Sequence, residues 1–377
     1  MSESEPSQSV EPDETDPASA AAPPSRRSAL LRTGFIVAVL FVVFVVILPR
    51  YVDYQEVLDA FQALTLPQIV LMTVLGAIGW FVSGLLFCAL IAGLSAIRGL
   101  TAYLILSGIG ASVPFGPWNM GVVWVVVRGW GIANQPATSG IALYGVINQL
   151  GRLALPLLAV ILLGVTGQFS GDGGPAVVIA LISIAVFVVA TVLIVAVVRS
   201  DRVADWLGRT GQRLVSGLLK RLGRSGSPNV SASIHHFRDQ LGEVIRRRGV
   251  LALLVTMVGQ IVWCGVLIVA LRVCGIPERV LSPADIFAVF ALVSVITIIP
   301  LSPGGAGVPE LLFIAGLSSI AGSNYESAVT AGVFLYRLYS WFLPIPLAWI
   351  LLKVARRGRS ILPTTAELRA DARGEPG

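Results

Sequence analysis

The chain has 377 residues, 55% of them hydrophobic and only 13% charged, with a mean hydropathy of +0.83. A soluble domain carries about 25% charge, so the composition excludes an ordinary soluble fold and indicates a polytopic membrane protein. The formal net charge of +6 comes without zinc-finger spacing, an RNA-binding signature or a basic recognition helix, so nucleic acid is not its explanation; it reads as topological, with Lys and Arg gathered on cytoplasmic loops.

In chain order, residues 1–33 read as a disordered tail. Up to residue 25 the tail is rich in Pro, Ser and Ala and carries Glu3, Glu5, Glu11, Asp13, Glu14 and Asp16. Such a segment lacks the apolar area to offset its ordering entropy. Arg26, Arg27 and Arg32 precede the apolar run 34–48. That run starts late for a signal peptide and no small-residue cleavage site follows, so an anchoring helix is expected.

Further apolar runs fall at 66–94, 100–113, 118–130, 137–165 and 175–198, then at 250–271, 283–301, 306–321 and 327–352. A spanning helix needs about 20 apolar residues. Most runs reach or approach that length, but 118–130 and 306–321 fall short. The basic stretches are the tail arginines, Arg98, the segment 199–248, and Lys353, Arg356, Arg357 and Arg359. The loops 50–59 and 166–174 are neutral or acidic. If both short segments cross, ten helices place every basic stretch and both termini on the cytoplasmic side of a cell membrane. Crossing is therefore preferred to re-entry of each short segment. The resulting division is a first membrane half at 34–198, a basic cytoplasmic segment at 199–248, a second membrane half at 249–352 and a basic cytoplasmic tail at 353–377.

Within 199–248, Val203, Trp206, Leu207, Leu214, Leu218 and Leu222 fall at helical steps, interleaved with Arg209, Arg213, Lys220, Arg221 and Arg224. This fits a basic amphipathic helix on an anionic leaflet; a solvated linker carrying topogenic charge fits equally. The adjacent His235 and His236 have no partner at metal spacing and read as surface residues. Cys88, Cys264 and Cys274 form no CxxC and no pairing pattern, so they read as buried free thiols. No metal or other cofactor is expected.

The two short segments share a repeat. "PFGPWNMGVVW" at 114–124 and "PLSPGGAGVPE" at 300–310 match Pro114 with Pro300, Pro117 with Pro303, and Gly121 with Gly307. Arg152 lies 31 residues after Gly121, and Arg337 lies 30 residues after Gly307, each deep in an apolar run. Under the ten-helix count the first motif falls on the outer side and the second on the cytoplasmic side, so the halves are inverted. Gly/Pro-broken segments at matching places in inverted halves point to a transporter-like binding site, because lipid cannot satisfy broken backbone. The fold expected is an all-α polytopic membrane protein with about eight to ten transmembrane or re-entrant helices and an inverted repeat.

"PGGAGVPE" followed by "AVTAGVFLYRLYSWFLP" resembles the flippase-like family named after the transmembrane region of lysylphosphatidylglycerol synthetases. That family shows a Pro-Gly-Gly-x-Gly-x-x-Glu element and then a helix containing Tyr-Arg. The matching positions are Pro303, Gly304, Gly305, Gly307, Glu310, Tyr336 and Arg337. The first copy departs from the pattern, with Trp118-Asn119 for Gly-Gly and Trp124 for the Glu. The resemblance implies a mid-membrane lipid site. Bifunctional members carry a soluble aminoacyltransferase domain after the membrane part. Here 353–377 follows it, so aminoacyl transfer is not expected of this sequence.

An ionised side chain at mid-bilayer costs about 2.5–3.5 kcal/mol or more, which gives Arg152 and Arg337 a functional reading. A guanidinium can hold a phosphate in a bidentate way. A structural ion pair, such as Arg337 with Glu310, is the competing account. Glu310 stands in the first turn of a helix, where the helix dipole favours a carboxylate; it could equally be a counter-ion, a proton carrier or a headgroup contact. Gly304, Gly305 and Gly307 permit close backbone approach and free N–H groups for a phosphate, or simply a tight turn. Tyr336, with Tyr339 and Trp341, could line the cavity or pack. Pro114, Pro117, Asn119 and Gly121 are the first-repeat counterparts. Asn148 and Gln149 are weaker polar candidates, explained equally by interhelical hydrogen bonds. Arg128 is expected to snorkel to the interface, and Asp285 in "SPAD" to start a helix.

The leading function is a lipid translocator, not an enzyme, holding an anionic phospholipid or lipid-linked sugar by its headgroup. A polytopic glycosyl- or phosphotransferase using Asp53, Glu56 and Asp59 is an alternative, although those acids at three-residue steps also describe a solvated helix face. A third reading is an accessory protein that binds a membrane enzyme through 199–248.

Overall fold

The computed structural model describes residues 64–112, 118–165, 249–298 and 305–358, with isolated helical positions at 62 and between 181 and 192. The acidic tail, the run 34–48, Asp53, Glu56, Asp59, the segment 199–248 and the tail from 359 lie outside the described residues. So do five motif positions, Pro114, Pro117, Pro300, Pro303 and Gly304.

Among the described residues every element is helical. A first unit holds α1 (Leu66–Leu90), α2 (Ala96–Ser112), α3 (Trp118–Gly129) and α4 (Asn134–Val165). A second holds α5 (Val250–Val273), α6 (Pro283–Ile296), α7 (Val308–Ala321), α8 (Glu326–Arg337) and α9 (Pro344–Gly358). A π turn, Leu338–Phe342, carries α8 into α9, so Ser323–Val354 runs on as one apolar rod of 32 residues. This rod, α1, α4 and α5 are the four described helices long and apolar enough to cross a membrane. Their outer faces are apolar and uncovered, for example Val70 and Val74 on α1 and Leu254, Val258 and Ile261 on α5, as lipid contact requires.

The remaining helices are short. α2, α3, α6 and α7 have 17, 12, 14 and 14 residues, or about 26, 18, 21 and 21 Å at 1.5 Å per residue, against an apolar core of about 30 Å. α2 packs on α3, and α6 on α7, so each pair forms a helical hairpin. Asp285 starts α6 as its spacing predicts: its carboxylate accepts from the Ser282 N–H (3.0 Å), and its own N–H donates to the Ser282 hydroxyl (3.2 Å).

Two buried clusters define the ends of the bundle. At one face the ends of α1, α3 and α9 meet the starts of α4 and α5, through Phe87, Val127, Leu351, Ala137 and Ala252. At the other, the starts of α1, α6 and α8 meet the ends of α5 and α7, through Met72, Ala284, Val329, Leu271 and Leu317. The first hairpin therefore opens from one face and the second from the opposite face. Each unit reads long helix, turn, short helix, motif, short helix, turn, long helix. The four turns carry glycines in the left-handed region, Gly93 and Gly131 in one unit and Gly275 and Gly322 in the other, the usual helix-ending device.

This corrects the ten-crossing expectation. The short segments 118–130 and 306–321 do not cross; each is the second arm of a hairpin. A hairpin uses two successive segments, so removing it from the count leaves the sidedness of the basic stretches unchanged. The charge rule could not separate the two arrangements. The inversion lies in the faces from which the hairpins open, not in tips placed on opposite sides.

Candidate functional site

The two hairpin tips converge on one cavity of about 370 Å³. Gly110, Ala111 and Asn119 reach it from the first tip, and Thr297, Gly305 and Pro309 from the second. Arg152, midway along α4, and Arg337, at the end of α8, both line it. They are the charged residues among the described lining, and no carboxylate shares it. The long helices place the arginines at mid-depth, where the apolar surroundings make a guanidinium dependent on partners.

Arg337 is held by its own unit. Its Nε donates to Glu310 Oε1 at 2.6 Å, and its Nη2 donates to the Gly305 carbonyl at 2.7 Å. The Trp341 ring centroid lies 5.3 Å from its guanidinium carbon. Glu310 has no exposed surface, and its second oxygen accepts from the Gly307 N–H at 2.8 Å. The motif spacing produces this geometry. Glu310 stands three residues into the cap and reaches back to the capping N–H. Gly305 (φ 74°) and Gly307 (φ 89°) take backbone conformations closed to most side chains, which turn a carbonyl toward Arg337 and an N–H toward Glu310. The alternatives open in the sequence therefore divide. Glu310 is the structural counter-ion of Arg337 and is closed off from the cavity, while Arg337 presents its remaining surface to it.

Arg152 is held differently. Its Nη1 donates to the Thr297 hydroxyl of the other unit at 3.3 Å, and its buried Nε has no partner among the described residues. Trp124, in the place of the motif Glu, donates through Nε1 to the Thr138 hydroxyl at 3.0 Å. It gives Arg152 no counter-charge. Among the described residues, the cavity thus carries one compensated and one uncompensated guanidinium.

Of the other expected residues, Asn119 and Tyr336 line the cavity. Tyr336 is wedged edge-on among Trp263, Phe290 and Phe313. Gly121 is exposed and Gly307 lies behind the lining. Asn148 joins the lining one turn before Arg152, whereas its neighbour Gln149 does not. Arg128 donates to the Ile132 carbonyl at 2.9 Å, in the turn at the mouth of the first hairpin. Sequence reasoning missed Gln260, Thr297 and Ser294, which line the cavity. The available signal was a polar side chain inside an apolar run. It also missed Arg272, which clamps the turn after α5 by donating to the Ile276 and Leu281 carbonyls (3.1 and 2.6 Å). Among the described residues no group of His, Cys, Asp and Glu could hold a metal.

The family model for the lysylphosphatidylglycerol synthase TM region matches residues 33–348. Among curated proteins none matches the chain. The family match covers most of the sequence, and the chain belongs to that family of membrane proteins, whose function is lipid-related.

Proposed function

We propose that this member of the lysylphosphatidylglycerol synthase membrane-region family is a lipid translocator that binds an anionic headgroup between its two hairpin tips. The observation that carries this reading is the cavity at mid-depth whose described lining holds two arginines, one from each inverted unit, and no acid. A phosphate there would accept from Arg152, whose Nε has no partner among the described residues, in a charge-assisted bond of the stronger kind. The acyl chains would stay in the surrounding lipid. Because the hairpins open from opposite faces, rocking one unit against the other would expose the site to each side in turn.

Charge supports an orientation. Arg98, Arg128 and Lys353 sit toward the face from which the first hairpin opens, and Arg272, Glu278, Arg279, Asp285 and Glu326 toward the other. By the positive-inside rule, the excess of Lys and Arg favours the first face as the cytoplasmic one.

The test is movement of fluorescent short-chain phosphatidylglycerol across liposomes containing the purified full-length chain, read by loss of dithionite-reducible signal. Wild type should accelerate movement over empty liposomes. Arg152→Ala should slow it at least about tenfold, the loss of about 1.4 kcal/mol of binding. Movement at the rate of empty liposomes, or an Arg152→Ala rate equal to wild type, would refute the reading.

A further inference from the structure

We propose that the cavity selects an anionic phosphodiester bearing a neutral, hydroxyl-rich substituent, a polyol or sugar, and discriminates against a cationic aminoacyl substituent. This rests on the headgroup-binding reading above and names the class of headgroup.

Charge balance is the first argument. Glu310 compensates Arg337 but is fully buried behind it, so its charge is spent within the protein. Arg152 keeps its charge, and the described lining has no carboxylate. An ammonium group entering the cavity would meet two guanidiniums and no acid. Its phosphate would be welcome and its amine would not. The aromatic faces that could hold a cation are partly taken: Arg337 lies over Trp341, and Tyr144 is stacked on Phe87 at 4.1 Å.

Hydrogen-bonding capacity is the second. Asn148 lies four residues before Arg152, on the same side of α4, and Gln260 faces the cavity from α5. Neither amide side chain has a hydrogen-bond partner among the described residues. An amide offers a carbonyl acceptor and two N–H donors, and a hydroxyl likewise both donates and accepts. An ammonium offers donors alone, so it would leave the amide N–H groups unpaired. Two open amides beside an uncompensated guanidinium therefore match a phosphate followed by hydroxyls. The volume, about 370 Å³, falls at the lower end of small-ligand pockets of about 300–1,000 Å³, which suits a headgroup without its chains.

The experiment is displacement of fluorescent short-chain phosphatidylinositol from the full-length protein in detergent. The competitors are phosphatidylinositol, phosphatidic acid and lysylphosphatidylglycerol. Phosphatidylinositol should compete at least about tenfold better than the lysyl lipid and better than phosphatidic acid. Replacing both amides, by Asn148→Ala with Gln260→Ala, should remove the advantage over phosphatidic acid. Equal or better competition by the lysyl lipid, or no difference among the three, overturns the proposal, and the wild-type order decides even if the double variant does not fold. Selective binding without movement in liposomes would remove the translocator reading and leave the headgroup class standing, so the two failures are distinguishable.

Discussion

At the scale of single residues, two arginines that look equivalent in sequence have opposite roles in stability. Arg337 and Glu310 form a buried pair, and breaking such a pair by removing one partner costs about 3–5 kcal/mol because the other charge is stranded. Glu310→Ala should therefore lower the unfolding free energy by that order in a denaturant titration in detergent. Among the described residues Arg152→Ala strands no acid and removes a buried Nε that has no partner, so it should change stability by less than about 1 kcal/mol. Similar losses for both would mean that Arg152 is also structural. The arginines and Glu310 were legible in the sequence because a charge in an apolar run is conspicuous. Their division of labour was not, because it depends on Trp124 standing where the first unit would need a carboxylate and on Thr297 reaching Arg152 from the other unit.

At the scale of elements, the hairpins depend on glycines used in two ways. Gly307 is needed for its backbone angle, so Gly307→Ala should cost about 1–2 kcal/mol from the left-handed conformation alone, besides disturbing the Glu310 contact. Gly84 is needed for its size: a Cβ there would fall 2.6 Å from the Leu100 nitrogen, at a close crossing of α1 and α2 of the small-residue kind. Gly84→Ala should destabilise by separating those helices. Gly265, in α5, has open space around its Cβ position and an ordinary helical backbone, so Gly265→Ala should be neutral or stabilising by up to about 1 kcal/mol. Thermal melts of the three variants in one detergent check the order; a destabilised Gly265→Ala would contradict this packing. The helices themselves were readable from their apolar runs. Their pairing was not, because hydropathy reports that a segment is apolar and not whether it turns back at mid-depth. The lengths of α3 and α7 held the clue, and two short arms conceal each other by preserving the count.

At the scale of the whole molecule, the inverted arrangement makes the two hairpins accessible from different sides while their tips share one site. The chain ends of the first hairpin, marked by exposed Ala92 and Ala133, lie at the face carrying Arg98 and Arg128. Those of the second, marked by exposed Glu278 and Asn324, lie at the other. The starting background replaces Cys88, Cys264 and Cys274, all free thiols, with Ala. Cysteines introduced by Ala92→Cys and Ala133→Cys should then react with an impermeant maleimide only in inverted vesicles, and those from Glu278→Cys and Asn324→Cys only in intact cells. These four sites test the inversion but do not separate hairpins from paired crossings, since two crossings return the chain to the same face. The tip does separate them. If α2 and α3 crossed, Asn119 would stand at the outer surface, and Asn119→Cys would label from outside as fast as Glu278→Cys. With a hairpin it lines the cavity at mid-depth, so outside labelling should be much slower than at Glu278→Cys. Excess phosphatidylinositol should slow it further if the headgroup occupies that cavity. Rapid, lipid-insensitive labelling of Asn119→Cys from outside would restore the crossing arrangement and separate the two tips, and with them the shared site.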